Sequence, residues 1–138
     1  MKCNLAMRRL LDTSIRTEKV DMIPLEHVLG SITDCDGVIV SDVLQKLCHD
    51  TREKFFDESA YEYYVNSLHM SDVDIAPDKR LSAALLMAMS IRRAFPNVAV
   101  VLIADNNDVV VKFFKMRPGQ IVMASNLEDY SQAVLLLE

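Results

Sequence analysis

Two runs of strand-forming residues constrain this chain more than any other feature. They are Val98-Ala99-Val100-Val101-Leu102-Ile103 and Val109-Val110-Val111-Lys112-Phe113-Phe114. β-Branched and aromatic side chains pack well on a pleated, half-buried surface. Between the runs stand Asp105-Asn106-Asn107-Asp108, residue types that tolerate the left-handed backbone of tight turns. The segment 98–115 therefore predicts an antiparallel hairpin. Before it, Pro77 suits the first position of a helix, and the following residues run to Phe95 and stop before Pro96. The middle of that helix, Leu81 to Ile91, is apolar nearly all round, with Met87 and Met89 as gap fillers, and predicts the most buried helix of the fold.

Periodicity elsewhere is mostly helical. Leu5, Leu10, Leu11 and Ile15 mark a helix over Leu5–Ile15. From Ser41, a plausible N-cap, the stripe Leu44, Leu47, Cys48, Thr51 and Phe55 predicts another. Ser59-Ala60-Tyr61-Glu62 fits a capping box, with Tyr61, Tyr64, Val65 and Leu68 as the buried stripe and Tyr63 left exposed. Pro118-Gly119 marks a turn and Gln120–Ala124 a short third strand. Ser125 to Glu128 reads as a second capping box, opening a last helix with Leu127, Tyr130, Val134 and Leu137 on one side. The stretch around residues 24–40 has two readings: a hairpin turning at Asp36-Gly37, or a short helix opened by Pro24 and running through Leu29. The expected fold is α/β of the α+β type. An antiparallel sheet is built on the 98–115 hairpin, with four or five helices packed mainly on one face, in one domain over 1–138.

Composition bounds the setting. The 138 residues are 51% hydrophobic and 25% charged, with only three Gly and four Pro, the profile of an ordinary globular chain with little room for linkers. The three cysteines, Cys3, Cys35 and Cys48, are an odd number without a Cys-x-x-Cys, which favours reduced thiols of a cytoplasmic protein over a secreted disulfide framework. Charged residues within Met1–Arg9 stand where a signal peptide's apolar core would lie. The longest apolar runs, Ala83–Met89 and Val98–Ala104, have seven residues each, against roughly 20 for a bilayer span. Net charge is −5, and residues 41–76 alone carry three basic and eight acidic side chains. That imbalance argues against a nucleic-acid partner, whose phosphates need clustered Lys and Arg.

Asp34-Cys35-Asp36-Gly37-Val38-Ile39-Val40-Ser41-Asp42 resembles the first motif of haloacid-dehalogenase-type phosphatases, Asp-x-Asp-Gly-Val followed by apolar residues. The resemblance covers nine residues. It implies Asp34 as the nucleophile attacking phosphorus, Asp36 as the acid protonating the leaving group, and a magnesium ion nearby. The other reading makes both Asp residues backbone-bonding members of a turn.

Elsewhere the pattern holds no complete catalytic set. His27, His49 and His69 fall at no metal-ligand spacing, and Cys48 lies on an apolar stripe as an inert thiol. Asp105 to Asp108 is too short for a calcium loop. Neither a cofactor nor a metal is indicated, and there is no Gly-rich phosphate loop or Gly-x-Ser-x-Gly. The function expected is a non-enzymatic protein-binding module, with a bacterial immunity or antitoxin-like protein as the concrete version. It would neutralise a basic, nuclease-type toxin through an acidic face of Asp50, Glu53, Asp57, Glu58 and Glu62 with Tyr63. The alternative is a small magnesium-dependent phosphatase-like hydrolase using Asp34 and Asp36.

Overall fold

The computed structural model describes residues 1–14, 19–105, 108–120 and 122–138, with the side chain of Ser14 left aside. The 98–115 hairpin forms as expected. Strands β5 (Val98–Asp105) and β6 (Asp108–Lys115) pair antiparallel from Val98 opposite Lys115 to Asp105 opposite Asp108. The turn residues Asn106 and Asn107 lie outside the described residues. Around this hairpin stand β1 (Lys2–Cys3), β7 (Ala133–Leu137) and β4 (Ser67–His69), giving one antiparallel sheet in the order β1-β7-β5-β6-β4. A second, two-stranded sheet pairs β2 (Ile32–Cys35) with β3 (Val38–Ser41). Five α-helices complete the described fold: α1 (Leu5–Ser14), α2 (Ile23–Gly30), α3 (Asp42–Leu47), α4 (Glu58–Val65) and α5 (Arg80–Ala94).

Alternation along β5 divides the sheet's two faces. Val98, Val100, Leu102 and Ala104 join the main core, with Val109, Val111 and Phe113 of β6 and Leu135 of β7. Helix α5 buries Leu81, Ala83, Ala84, Met87, Ala88 and Ile91 in that same core, and α2 adds Leu25 and Val28. Small alanines let α5 lie close to the strands. Its far side departs from the expectation of all-round burial: Leu86 and Met89 are exposed. The opposite face of the sheet carries Ala99, Val101, Phe114 and Val134 and is covered by Leu127, Val122, Met123 and Tyr130 of the segment after β6. The helices do gather mainly on one face.

The C-terminus corrects the expected last helix. Only Leu127–Asp129 makes a short 3-10 turn, and Ala133–Leu137 is a strand inserted between β1 and β5. Ala133-Val134-Leu135-Leu136-Leu137 is apolar without a period, and such a run suits a strand covered on both faces. The free edge of β5 decides the matter, because its backbone groups need partners. Ser125 makes no capping box with Glu128. Instead the Glu128 carboxylate accepts the Leu5 amide at 3.0 and 3.1 Å, at the start of α1. Beside it the buried Asn4 accepts from the amides of Met7 and Val134, both at 3.0 Å. The expected strand over 120–124 does not form: Gln120 and Val122–Ala124 are loop, and Ile121 is outside the described residues.

Three helices differ from their sequence patterns. In α1 the buried residue is Met7, while Leu5 is exposed and Ile15 lies outside the described residues. Ser41 caps α3 as expected, accepting from the Leu44 amide at 3.3 Å. Yet α3 ends at Leu47, because the polar run from His49 to Lys54 has no apolar face to bury, and Leu47 itself is 72% exposed. The N-cap of α4 is Asp57, not Ser59: Asp57 Oδ1 accepts the Ala60 amide at 2.8 Å. Both readings of the 24–40 stretch are realised, one after the other. Pro24 sits in the first turn of α2, and the hairpin turns at Asp36 and Gly37.

Glu62 of α4 and Asn66, the residue that caps its C-terminus one turn later, join the small hairpin to the main sheet. Glu62 accepts the Ile39 amide at 2.8 Å from β3 and the Lys115 amide at 2.7 Å from β6. Asn66 accepts the Ser41 amide at 3.0 Å and donates to the carbonyls of Ile39 (2.8 Å) and Phe113 (3.1 Å). Arg117 closes the network with two bonds to Glu62 at 2.6 and 2.9 Å. Asn66→Ala strands an amide and two carbonyls in the interior and is expected to cost about 2–4 kcal/mol. Arg117→Met leaves the buried Glu62 carboxylate without its counter-charge and is expected to cost about 3–5 kcal/mol. Urea unfolding of both variants, beside the exposed control Lys46→Met, checks these losses.

Candidate partner-binding surface

The Asp-x-Asp-Gly motif sits in the small antiparallel hairpin. Asp36 (φ 51°) and Gly37 (φ 80°) are both left-handed, the backbone required by a two-residue turn between Cys35 and Val38. Asp34 lies on β2 opposite Ile39, with Oδ2 2.6 Å from the Lys115 ammonium. The Gly37 carbonyl accepts from Arg117 at 2.6 Å and Lys115 at 3.4 Å. These contacts anchor the turn to the end of β6. Among the described residues no three His, Cys, Asp or Glu side chains gather into a metal-holding group. Asp34 thus lies on a strand, and Asp36 in the turn, of an antiparallel hairpin anchored to the end of β6.

A cleft of about 320 Å³ opens on the sheet face away from α5, beside Ser59, Arg117 and Gln120. Arg117 is engaged within the fold: Nη1 bonds Ser59 at 2.8 Å as well as Glu62, and Nη2 bonds Glu62 and the Gly37 carbonyl. Its guanidinium pKa rises, chiefly through the bond to Glu62.

The acidic candidates of the middle segment divide in two. Asp50, Glu53, Asp57 and Glu58 gather around the loop between α3 and α4. There Phe55 packs its ring against Tyr61 (5.5 Å between centroids) and Tyr64 (5.0 Å). That aromatic anchor fixes the loop and leaves the adjacent Phe56 with no cover at all: it is 100% exposed. Tyr64 OH donates to Asp50 at 3.0 Å, and Asp50 pairs with Lys54 at 2.5 Å. Arg52 pairs with Glu58 at 2.8 Å, while Glu53 is exposed.

Glu62 and Tyr63 are corrections. Glu62 is 0% exposed and committed to Arg117 and the two backbone amides, so it contributes nothing to a contact face. Tyr63 is half-buried against Phe114 at 5.8 Å, and Tyr64 is the exposed member of the pair. The inversion follows from Asp57 capping the helix in place of Ser59. Ser59 and Glu62 then face inward, and Ser59 reaches the Lys115 carbonyl at 3.0 Å. Phe56 carried no signal in the sequence, since a Phe-Phe pair does not say which ring is buried.

The family described as Uncharacterized protein PM0498 family matches residues 2–138. The chain belongs to it. No curated protein and no solved structure matches this PM0498-family chain. Among its described residues no helix is long and apolar enough to cross a membrane.

Three carboxylates of the loop titrate below their ordinary values. Bonds from Lys54 and Tyr64 lower Asp50; Glu53 is lowered by its own amide and by Thr51; Glu58 by its own amide, Arg52 and Gln120. Folded values below unfolded ones mean that these contacts favour the folded loop fully above about pH 5. The contribution fades as the pH falls below the ordinary 3.8 of Asp and 4.5 of Glu, through the folded values. Carboxyl-carbon NMR titration should place all three midpoints below those values, with Asp50 rising in Lys54→Met. Asp57→Ala removes the α4 cap and is expected to cost about 1 kcal/mol in urea unfolding.

Proposed function

We infer that the chain is a non-enzymatic protein-binding module that presents Phe56 as an anchor to a basic protein. The fully exposed phenyl ring carries this reading. A large apolar side chain wholly in water on a tethered loop is costly to the free protein and favourable once a partner's pocket covers it. Leu47 and Tyr64 add exposed apolar surface from the flanking helices. The acidic rim of Asp50, Glu53, Asp57 and Glu58 selects for positive charge around that pocket, and complementary potentials speed encounter. Asp50 and Glu58 are already paired within the loop, so Glu53 is the carboxylate most available to a partner. An immunity or antitoxin-like role, in which this face covers the basic active site of a nuclease-type toxin, is the concrete form of the reading.

A photo-crosslinking phenylalanine analogue at position 56, expressed in the native host, tests it. One basic protein should be captured at position 56 and not at Leu86, which is exposed on α5. Purified with that protein, Phe56→Ala should weaken binding at least ten-fold and Glu53→Lys several-fold, with thermal melts unchanged. Identical captures at both positions, or full affinity in Phe56→Ala, would overturn the assignment.

A further inference from the structure

The face of the sheet away from α5 carries a second feature, independent of the Phe56 loop. Between β4 and β6, Ser67 stands opposite Lys112, and Lys112 stands opposite Val101 of β5. One rung further along, His69 is opposite Val110, and Val110 opposite Ile103. Alternation places all six residues on the face away from α5. The segment that covers Val101 and Val134 does not close over this corner: Ser67, Ile103, Val110 and Lys112 remain half-buried and His69 exposed.

Lys112 is an unusual cation in such a place. Its ammonium lies over the Tyr63 ring at 4.6 Å from the centroid and donates to the Tyr63 carbonyl at 3.4 Å. Among the described residues no carboxylate pairs with it, in a chain whose net charge is −5. An ammonium has three donors, and the contacts here satisfy one. Burial lowers its pKa, as expected where no counter-charge offsets the loss of water. The neighbouring carboxylate, Asp108, is already taken by His69 Nδ1 at 2.7 Å and by the amides of Ser71 (2.9 Å) and Val109 (2.8 Å).

We propose that this corner is a binding site for a small amphipathic carboxylate, its anionic oxygens held by Lys112 and Ser67 and its apolar tail laid on Val110 and Ile103. A directly opposite pair has Cβ atoms about 5 Å apart, close enough for one carboxylate to meet both the ammonium and the hydroxyl. The next rung on the same face lies about 7 Å along the strands, within reach of a short alkyl chain. A paired anion gives Lys112 the counter-charge that it lacks among the described residues, and the tail removes apolar surface of Ile103 and Val110 from water.

Octanoate is the probe, followed by amide chemical-shift mapping of the full chain, with acetate and inorganic phosphate as separate arms. Octanoate should give saturable shifts confined to residues 67–69, 101–103 and 110–112, and acetate a much weaker set at 67 and 112. Lys112→Met should weaken octanoate binding at least ten-fold, Lys112→Arg should retain most of it, and Lys46→Met should change nothing. The methionine suits its apolar surroundings, so Lys112→Met should melt no lower than the parent, which separates lost binding from lost fold. Octanoate shifts that are absent, spread over the surface, or unchanged in Lys112→Met would overturn the site. Phosphate binding as tightly as octanoate at the same residues would overturn the amphipathic ligand.

Discussion

Glu62 and Asn66 sit where two sheet edges meet without a shared ladder. Strand β3 and the end of β6 approach each other with backbone amides and carbonyls that no strand satisfies, and the side chains of Glu62 and of Asn66, the C-cap of α4, fill that gap. An i, i+4 pair on a helix projects along one line about 6 Å apart, a spacing that lets two polar side chains replace several rungs of a ladder. Placing a carboxylate there is unfavourable unless its charge is matched, and Arg117 supplies the match from the first turn after β6. The same guanidinium holds the Gly37 carbonyl, so one buried pair sets both the position of the small hairpin and the rotation of α4.

The rotation of α4 has consequences for the surface. With Ser59 and Glu62 inward, Tyr61 and Val65 pack on β3, Tyr63 turns toward Phe114, and Tyr64 faces out beside Phe55. The loop before α4 is then tied down by Phe55, by Asp57 as cap, and by the Asp50–Tyr64 and Arg52–Glu58 contacts, with Phe56 outermost. The proposed contact face is thus a product of the buried network behind it. Its acidity comes from the sequence, its apolar centre from the packing.

Much of the scaffold was legible in the residues. The 98–115 hairpin, the helix before it, the Ser41 cap and the Asp36-Gly37 turn each rest on local chemistry: β-branched runs, a proline stop, a hydroxyl acceptor, left-handed backbone. What was not legible was non-local. Ser125–Glu128 matches a capping box, but Glu128 is drawn to the Leu5 amide 123 residues away, and Ala133–Leu137 joins a sheet edge that no local pattern reveals. The acidity around the loop before α4, from Asp50, Glu53, Asp57 and Glu58, is a matter of charge alone. Glu62 was misplaced because a carboxylate is ordinarily a surface residue, and its partners Ile39, Lys115 and Arg117 come from other elements.

By itself the sequence determined the α+β class, the hairpin at its centre, and the confinement of excess negative charge to residues 41–76, since propensity, turn chemistry and charge count are properties of neighbours along the chain. Only the tertiary structure decided that the C-terminal run is a strand, that Glu62 is buried and Phe56 bare, and that Lys112 lies over the Tyr63 ring on the sheet face away from α5. Each of those outcomes depends on where another element's unsatisfied backbone or side chain lies, and that is settled only when distant segments meet.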